Sequence, residues 1–200
     1  MLESADVTPP DGRAARSHRT RAAIVDGLIA LLERGHVQPT VEEIAAEAGV
    51  APRTVFQHYA DRDALFAALA ARRRARAEEL MAGLPAGGAV VERIDALVAQ
   101  RARVYEWIAP VRRAALLMEP FSESVQARVD AFRARKRREA IGLFAQELSA
   151  LGPEERSAAE AALAALTSYA AWDALRTQQG RDVEQASAAL TAALRGLLGA

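Results

Sequence analysis

Apolar residues recur three and four positions apart along most of the chain, and segments rich in glycine or proline separate these runs. Ile24, Leu28 and Leu31 form one such stripe, which is typical of a helix with one buried face. The stripe predicts a helix over 18–34 that ends at Gly35. Alternating apolar and polar residues, the signal of half-buried strands, are almost lacking. The sequence therefore predicts an all-α fold of about nine helices.

The turn and capping residues set the limits of the other predicted helices. The second begins at Thr40, where Thr40 and Glu43 have the spacing of a capping box. Pro110 and Pro153 are expected to begin helices, because the first helical residue needs no backbone donor. The loop 83–89 is expected to separate two domains. Beyond the second helix, the predicted helices cover about 52–59, 62–81, 89–107, 110–118, 122–149, 153–178 and 182–198.

A short helix that begins at Thr40, a turn at Gly49 and a second short helix over about 52–59 have the spacing of a helix-turn-helix. Gly49 can adopt the positive φ that the turn requires. Val55 and Tyr59, four residues apart, are expected to face inward. Arg53 and Gln57 then share an outward face, and these side chains pair with guanine and adenine edges in the major groove. Thr54 and His58 are suited to donate to phosphate oxygens.

Charge and composition limit the class of protein. The formal net charge is zero and 51% of the residues are hydrophobic, which favours a packed core over indiscriminate nucleic-acid binding. The segment between Asp11 and Asp26 nevertheless carries four arginines and no acid. These arginines are expected either to follow DNA as an arm or to form a disordered, solubilising tail. Neither a secretion signal nor a membrane span is recognisable, so a soluble cytoplasmic protein is expected.

Residue types that support catalysis or metal binding are scarce. Cysteine is absent, and the three histidines, His18, His36 and His58, all precede residue 61. The C-terminal two-thirds therefore has neither a Ser-His-Asp triad nor a metal site with histidine or cysteine ligands. No P-loop or GxGxxG motif is present. We expect neither an enzyme nor a bound cofactor or metal.

Residues 20–66 resemble the N-terminal domain of the tetracycline-repressor (TetR) family of regulators. The matching motifs are Thr40-Val41-Glu42-Glu43-Ile44-Ala45, Ala48-Gly49-Val50, Thr54-Val55-Phe56, His58-Tyr59 and Asp61-Arg62-Asp63-Ala64-Leu65. The resemblance covers about a quarter of the chain. It implies a flexible arm at 1–16 and a three-helix DNA-binding domain at 17–65, with a connecting helix to about residue 81. It also implies a helical effector-binding and dimerisation domain at 66–200.

The resemblance also implies a set of DNA-binding residues. Phosphate contacts are expected from Thr54, His58 and Arg62, with Thr40 near the backbone. Base contacts are expected from Pro52, Arg53 and Gln57, and Tyr59 completes the candidate set. Two positions depart from the family pattern. Ala51 stands where the family often has a serine cap, and Phe56 stands where it often has tyrosine.

The implied function is ligand-responsive regulation of transcription, most simply repression through a palindromic double-stranded operator. The family pattern implies a homodimer through the last two helices. Suitable contacts, unless they are buried within the chain, are Leu163, Leu166, Leu190, Leu194, Leu197 and Leu198. An alternative is a helical ligand-binding or scaffold protein that no longer reads DNA. The large side chains of the second domain either fill its core or line a pocket for an apolar or aromatic effector: Tyr105, Trp107, Met118, Phe132, Tyr169 and Trp172.

Overall fold

Helices form the secondary structure of residues 12–200, the part of the chain that this computed structural model describes. The described residues contain no strand, so the predicted all-α fold is confirmed. The α-helices are α1 Gly12–Glu33, α2 Val41–Glu47, α3 Pro52–His58, α4 Arg62–Met81, α5 Val90–Met118, α6 Glu123–Leu143, α7 Ala145–Ser149, α8 Pro153–Leu166, α9 Tyr169–Asp173 and α10 Val183–Leu198. A 3₁₀ turn, Glu119–Phe121, precedes α6, and a π-helical turn, Ala174–Gln178, follows α9.

The chain divides into two compact units, and the division falls within α4 between Arg73 and Arg74. In the first unit, α1 packs on α2 and α2 packs on α3. Its core is formed by apolar side chains that lie on the inner faces of these helices and of α4. The most deeply buried members are Ile24, Leu28, Leu32, Ala45 and Leu69.

The second unit is built mainly from contacts of α5 with α10 and of α6 and α10 with α8. Leu97, Ala140, Leu163 and Leu194 are fully buried, so each of these four helices contributes to one core. Leu163, Leu190 and Leu194, which the sequence offers as dimer contacts, are therefore buried within the chain. They are not available to a second copy.

The N-terminal helix begins earlier than predicted. Residues 12–16, expected to belong to a flexible arm, lie in α1, while residues 1–11 lie outside the described part of the chain. The arginines at 13, 16, 19 and 21 are accordingly on a helix rather than on an extended arm or a disordered tail. The segment 12–20 contains no proline and no second glycine that would interrupt the helix.

The prediction that a helix begins at Pro110 is wrong. α5 runs without a break from Val90 to Met118 with Pro110 inside it. An internal proline costs a helix about 3 kcal/mol. Buried residues on both sides of it, Tyr105 and Ala114, show that packing holds the two halves of α5 in line.

The predicted helices over 122–149 and 153–178 are each interrupted. Phe144 leaves the helical conformation with φ −112° and ψ 25°, and it is fully buried at the junction of α6 and α7. α8 ends at Leu166, and Ser168 then caps α9 by accepting a hydrogen bond from the backbone of Ala171 at 3.2 Å.

In the π-helical turn, Arg176 donates from Nε to Glu106 on α5 at 2.8 Å. Trp172, just before the turn, donates from Nε1 to the same carboxylate oxygen at 2.8 Å. Trp172 and Arg176 therefore both hold this part of the chain against α5, through one carboxylate oxygen of Glu106.

Gly27 allows α1 and α2 to approach closely. It is buried within α1, and a Cβ atom there would lie 3.2 Å from the backbone nitrogen of Ala48 and 3.3 Å from the carbonyl oxygen of Ile44. Both neighbours are backbone atoms, which cannot rotate away as a side chain can. The contact explains a glycine inside an otherwise regular helical stripe.

We expect Gly27→Val to lower the free energy of unfolding by about 1–3 kcal/mol, because the added side chain must push α1 away from α2. Urea denaturation followed by circular dichroism measures the change. Ala70→Val on the exposed face of α4 is the control and should change stability by less than about 0.5 kcal/mol. Equal losses for both variants would contradict a close contact at Gly27.

Candidate nucleic-acid interface

Thr40 fixes the start of α2 through the predicted capping box. Its hydroxyl accepts a hydrogen bond from the backbone of Glu43 at 3.2 Å, and the Glu43 carboxylate accepts one from the backbone of Thr40 at 2.7 Å. These bonds hold the pKa of Glu43 below its ordinary value. The capping box is therefore confirmed, and it places an ionised carboxylate where the helix dipole favours one.

The turn between α2 and α3 depends on Gly49. Its φ is +66°, in the left-handed region that glycine adopts without strain. The next residue, Val50, donates from its backbone to the carbonyl of Ala45 at 2.9 Å and thereby closes the end of α2. The predicted role of Gly49 is confirmed, and the turn fixes the direction in which α3 leaves α2.

Two residues anchor the inner face of α3. Val55 is 3% exposed and Tyr59 is 5% exposed. The Tyr59 hydroxyl donates to the main-chain carbonyl of Arg21 on α1 at 3.1 Å, and the Arg21 guanidinium lies 5.4 Å from the centre of the Tyr59 ring. α3 is thus held against α1 by packing, a hydrogen bond and a cation–π contact.

The inclusion of Tyr59 among the DNA-binding residues requires correction. Its ring is buried and its hydroxyl already donates to Arg21, so this side chain positions α3 instead of presenting a donor to DNA. The same four-residue spacing that predicted an inner face at Val55 and Tyr59 accounts for this result.

The outer face of α3 carries the remaining candidates. Pro52, Arg53 and Gln57 are exposed, whereas Thr54 and His58 at its edges are partly buried. Phe56 is 62% exposed, which is unusual for a large apolar side chain. The helix therefore presents one guanidinium, one amide and one aromatic ring to solvent.

The N-terminus of α4 lies beside α3 and α2. Asp61 caps α4 by accepting from the backbone of Ala64 at 2.7 Å, and Arg62 is exposed in the first turn. Thr40, Phe56 and Arg62 line a common cleft with a volume of about 260 Å³. The structure thus brings the starts of α2 and α4 to the same side of α3, a proximity that sequence spacing alone does not reveal.

The cationic side chains of the first unit differ in what surrounds them. Arg34 pairs with Glu47 at 2.6 Å, Arg72 with Asp26 at 3.0 Å and Arg73 with Glu33 at 2.9 Å. Arg53 and Arg62 are exposed, and neither forms an ion pair within residues 12–200. The two arginines next to the α3 surface therefore keep their charge available for an external anion.

The N-terminus of α3 lacks a side-chain cap. Ala51 has the extended conformation of a cap residue, with φ −74° and ψ 146°, but offers no oxygen to the first turn. Pro52 follows at the first helical position, where its missing donor costs nothing.

The second unit places the predicted pocket residues in and around its core. Tyr105 and Trp172 are each 1% exposed, and the Tyr105 hydroxyl donates to the carbonyl of Thr167 at 2.5 Å. Burial raises the pKa of Tyr105 to about 12. Phe132 and Tyr169 are partly buried against the same core, and Tyr169 contacts the Tyr105 ring edge-on with the centroids 5.7 Å apart. Trp107 and Met118 are also partly buried.

Part of the first unit matches the sequence model of a known protein family. Residues 24–69 match the model of a family described as bacterial regulatory proteins, tetR family, and this range contains α2, α3 and the start of α4. The chain therefore contains a tetR-family domain over these residues. It is therefore a transcriptional regulator with a DNA-binding helix-turn-helix. No curated protein matches the chain in sequence.

Solved structures share the fold beyond the helix-turn-helix. A transcriptional regulator from Rhodococcus sp. RHA1 is similar with a TM-score of 0.65 and 21% identity, over 92% of this chain and 96% of that chain. A TetR-like transcriptional regulator from the same source has a TM-score of 0.56 and 23% identity, over 96% of this chain and 100% of that chain. At these identities the likeness establishes a common fold for both units of the chain.

Within residues 12–200 no group of three histidine, aspartate or glutamate side chains could hold a metal ion. Across the same residues no helix is both long and apolar enough to cross a membrane.

We expect Ala51→Ser to raise the free energy of unfolding by about 0.5–1 kcal/mol, because serine supplies the missing cap in a backbone conformation that already suits it. Urea denaturation measures the gain. Ala60→Ser is the control, since residue 60 is exposed and Asp61 already caps the following helix. A gain of the same size at both positions would show that capping is not its cause.

Proposed function

We propose that this TetR-family protein is a repressor that binds a palindromic operator as a homodimer and releases it when a small molecule binds the second unit. The observation that carries the proposal is the division of α3 into two faces. Val55 and Tyr59 are buried, whereas Arg53 and Gln57 are exposed four residues apart. A short helix held from behind and bearing these two side chains in front is suited to the major groove.

In the proposed complex, Arg53 and Gln57 contact base edges and Pro52 packs beside them. Arg53 suits the two acceptors of guanine, and Gln57 suits the acceptor and donor of adenine. Phosphate contacts come from Thr54 and His58 at the edges of α3 and from the starts of the neighbouring helices. Thr40 and Arg62 support this assignment because both border the cleft beside α3.

We propose residues 17–65 as the DNA-binding domain, with the connecting helix reaching about residue 81. Residues 66–200 then form the effector-binding and dimerisation domain. Phe132 and Tyr169 are the pocket residues best placed to contact an apolar or aromatic effector, because each is partly buried against the core. Since an operator is chromosomal DNA, the proposed place of action is the cytoplasm.

The dimer would form through the outer faces of α8 and α10. With Leu190 and Leu194 buried, the opposite side of α10 presents Ala188 and Ala192 to solvent. Side chains this small let the backbones of two helices approach closely. A two-fold axis through this face would relate the two copies of α3 in the dimer. The operator half-sites would then lie about one turn of the DNA helix apart.

We expect Arg53→Ala and Arg62→Ala to affect DNA binding differently. An operator is first selected from random duplexes, and affinities are then measured on matched and mismatched sites over a salt series. Arg53→Ala should relax discrimination at one base pair by about 1–3 kcal/mol. Arg62→Ala should weaken binding to all sites alike and reduce the slope of log affinity against log salt by about 1.8, the value for two phosphates, one in each half-site.

Arg103→Ala, which removes an exposed charge from α5, is the matched control and should leave both quantities unchanged. Identical behaviour of the Arg53 and Arg62 variants would refute the division of roles. If the folded protein selects no DNA sequence at low salt, that result would instead favour the alternative of a ligand-binding or scaffold protein without sequence-specific DNA binding.

We expect Ala192→Arg to convert the proposed dimer to a monomer, because a long charged side chain would have to be buried between two closely packed helices. Sedimentation velocity measures the oligomeric state. Ala99→Arg, on the exposed side of α5, is the control and should stay dimeric. A dimeric Ala192→Arg protein would place the interface elsewhere.

A further inference from the structure

Four polar residues form a cluster between α5 and α6 in the second unit, which we call the α5–α6 charge cluster: Gln100, Arg101, Lys136 and Glu139. Gln100 and Arg101 are each 1% exposed and Lys136 is 3% exposed. Glu139 is partly buried, with 20% of its side chain exposed. Charged side chains are almost never buried this deeply unless they are paired.

The two buried cations share one carboxylate. Lys136 donates to Glu139 at 2.7 Å, and Arg101 donates to the same Glu139 oxygen at 3.2 Å. Both cations also donate to the amide oxygen of Gln100. Gln100 in turn donates to the carbonyl of Met81, the last residue of α4, at 2.5 Å, which fixes its amide oxygen toward the cations.

The cluster has fewer negative charges than positive ones. Arg101 and Lys136 contribute two cations against the single carboxylate of Glu139, and Arg135 contacts that carboxylate from the exposed side at 3.2 Å. The Arg101 Nε atom is buried and has no hydrogen-bond partner within residues 12–200. An unmatched buried charge and an unused buried donor are both unfavourable. An incoming anion would satisfy both.

The aromatic ring of Phe132 lies beside one of these cations, Lys136. The Lys136 ammonium is 5.9 Å from the centre of the Phe132 ring, and Phe132 is partly buried against the core. Burial, together with the nearby Arg101 charge, lowers the pKa of Lys136 to about 8. The lysine is thus a cation held in a poorly solvated site beside an apolar surface.

We propose that the α5–α6 charge cluster binds the carboxylate of a small apolar or aromatic acid. The ligand carboxylate takes the place of the Glu139 carboxylate between Arg101 and Lys136, and its apolar part lies against Phe132. Glu139 is an internal substitute for the ligand. It can turn toward solvent and keep Arg135 as a partner, because Arg135 already contacts it from the outside.

This inference rests on the proposed function only where the acid is identified with the effector. Ligand contacts to Arg101 and Lys136 would compete with those that these residues make to Gln100, and Gln100 holds the end of α4. Binding at the cluster would therefore alter the hydrogen bonding of the helix that begins at Arg62.

The test uses the full chain with benzoate as the probe. Benzamide is the neutral control, and sodium chloride at equal ionic strength is the control for a simple anion. Isothermal titration calorimetry and thermal unfolding report binding. Benzoate should bind and stabilise the protein, whereas benzamide and chloride should not. Lys136→Met should weaken benzoate binding about tenfold or more, which corresponds to about 1.4 kcal/mol. Arg137→Met, an exposed neighbour on α6, should leave it unchanged.

Glu139→Gln separates a ligand site from a purely structural cluster. Removal of the internal carboxylate should tighten benzoate binding by about tenfold or more and enlarge the thermal shift. If this variant is unfolded alone, benzoate but not benzamide should restore its helical circular dichroism. Absence of saturable benzoate binding to both wild type and Glu139→Gln, or equal effects of chloride, overturns the proposal.

Operator binding measured without any acid keeps the two proposals distinct. Sequence-specific DNA binding with no response to benzoate in any variant overturns this inference and leaves the proposed function intact. Benzoate binding that depends on Lys136, in a protein that selects no DNA sequence, supports the ligand site and overturns the proposed function.

Discussion

The anchoring of α3 through Tyr59 is the interaction on which the exposed face of α3 depends. α3 has seven residues and no side-chain cap, and an isolated helix of that length does not persist in water. Its orientation comes from burial of Val55 and Tyr59 and from the hydrogen bond to the Arg21 carbonyl on α1. Because these contacts occupy one side of the helix completely, the residues between them are directed outward.

Local rules predicted the first unit well because its elements are short and each carries its own signal. The capping box at Thr40 and the positive φ of Gly49 depend on residues a few positions apart. The close approach at Gly27 and the convergence of Thr40 with Arg62 depend on contacts between helices. Spacing along the chain does not contain that information.

In the second unit, tertiary packing overrides local preference in both directions. α5 continues through Pro110, where propensity predicts a break, and the alanine-rich segment after Pro153 breaks at Thr167 and Ser168, where propensity predicts continuity. The sequence likewise did not predict that the charged side chains of Arg101 and Lys136 are buried. The segment 133–138 on α6 carries five basic residues, a pattern that usually indicates a solvated face, and only the fold shows that one of them, Lys136, is buried.

The π-helical turn at Ala174–Gln178 holds one residue more than an α-helical turn would. Trp172 before the turn and Arg176 within it both donate to Glu106, and the extra residue sets the direction in which the chain continues toward α10. Chain length, more than the identity of each residue, is therefore constrained here. Deletion of one residue would restore an ordinary helix and turn the following side chains by about 100°. Related sequences should accordingly vary in composition across this turn while they keep its number of residues.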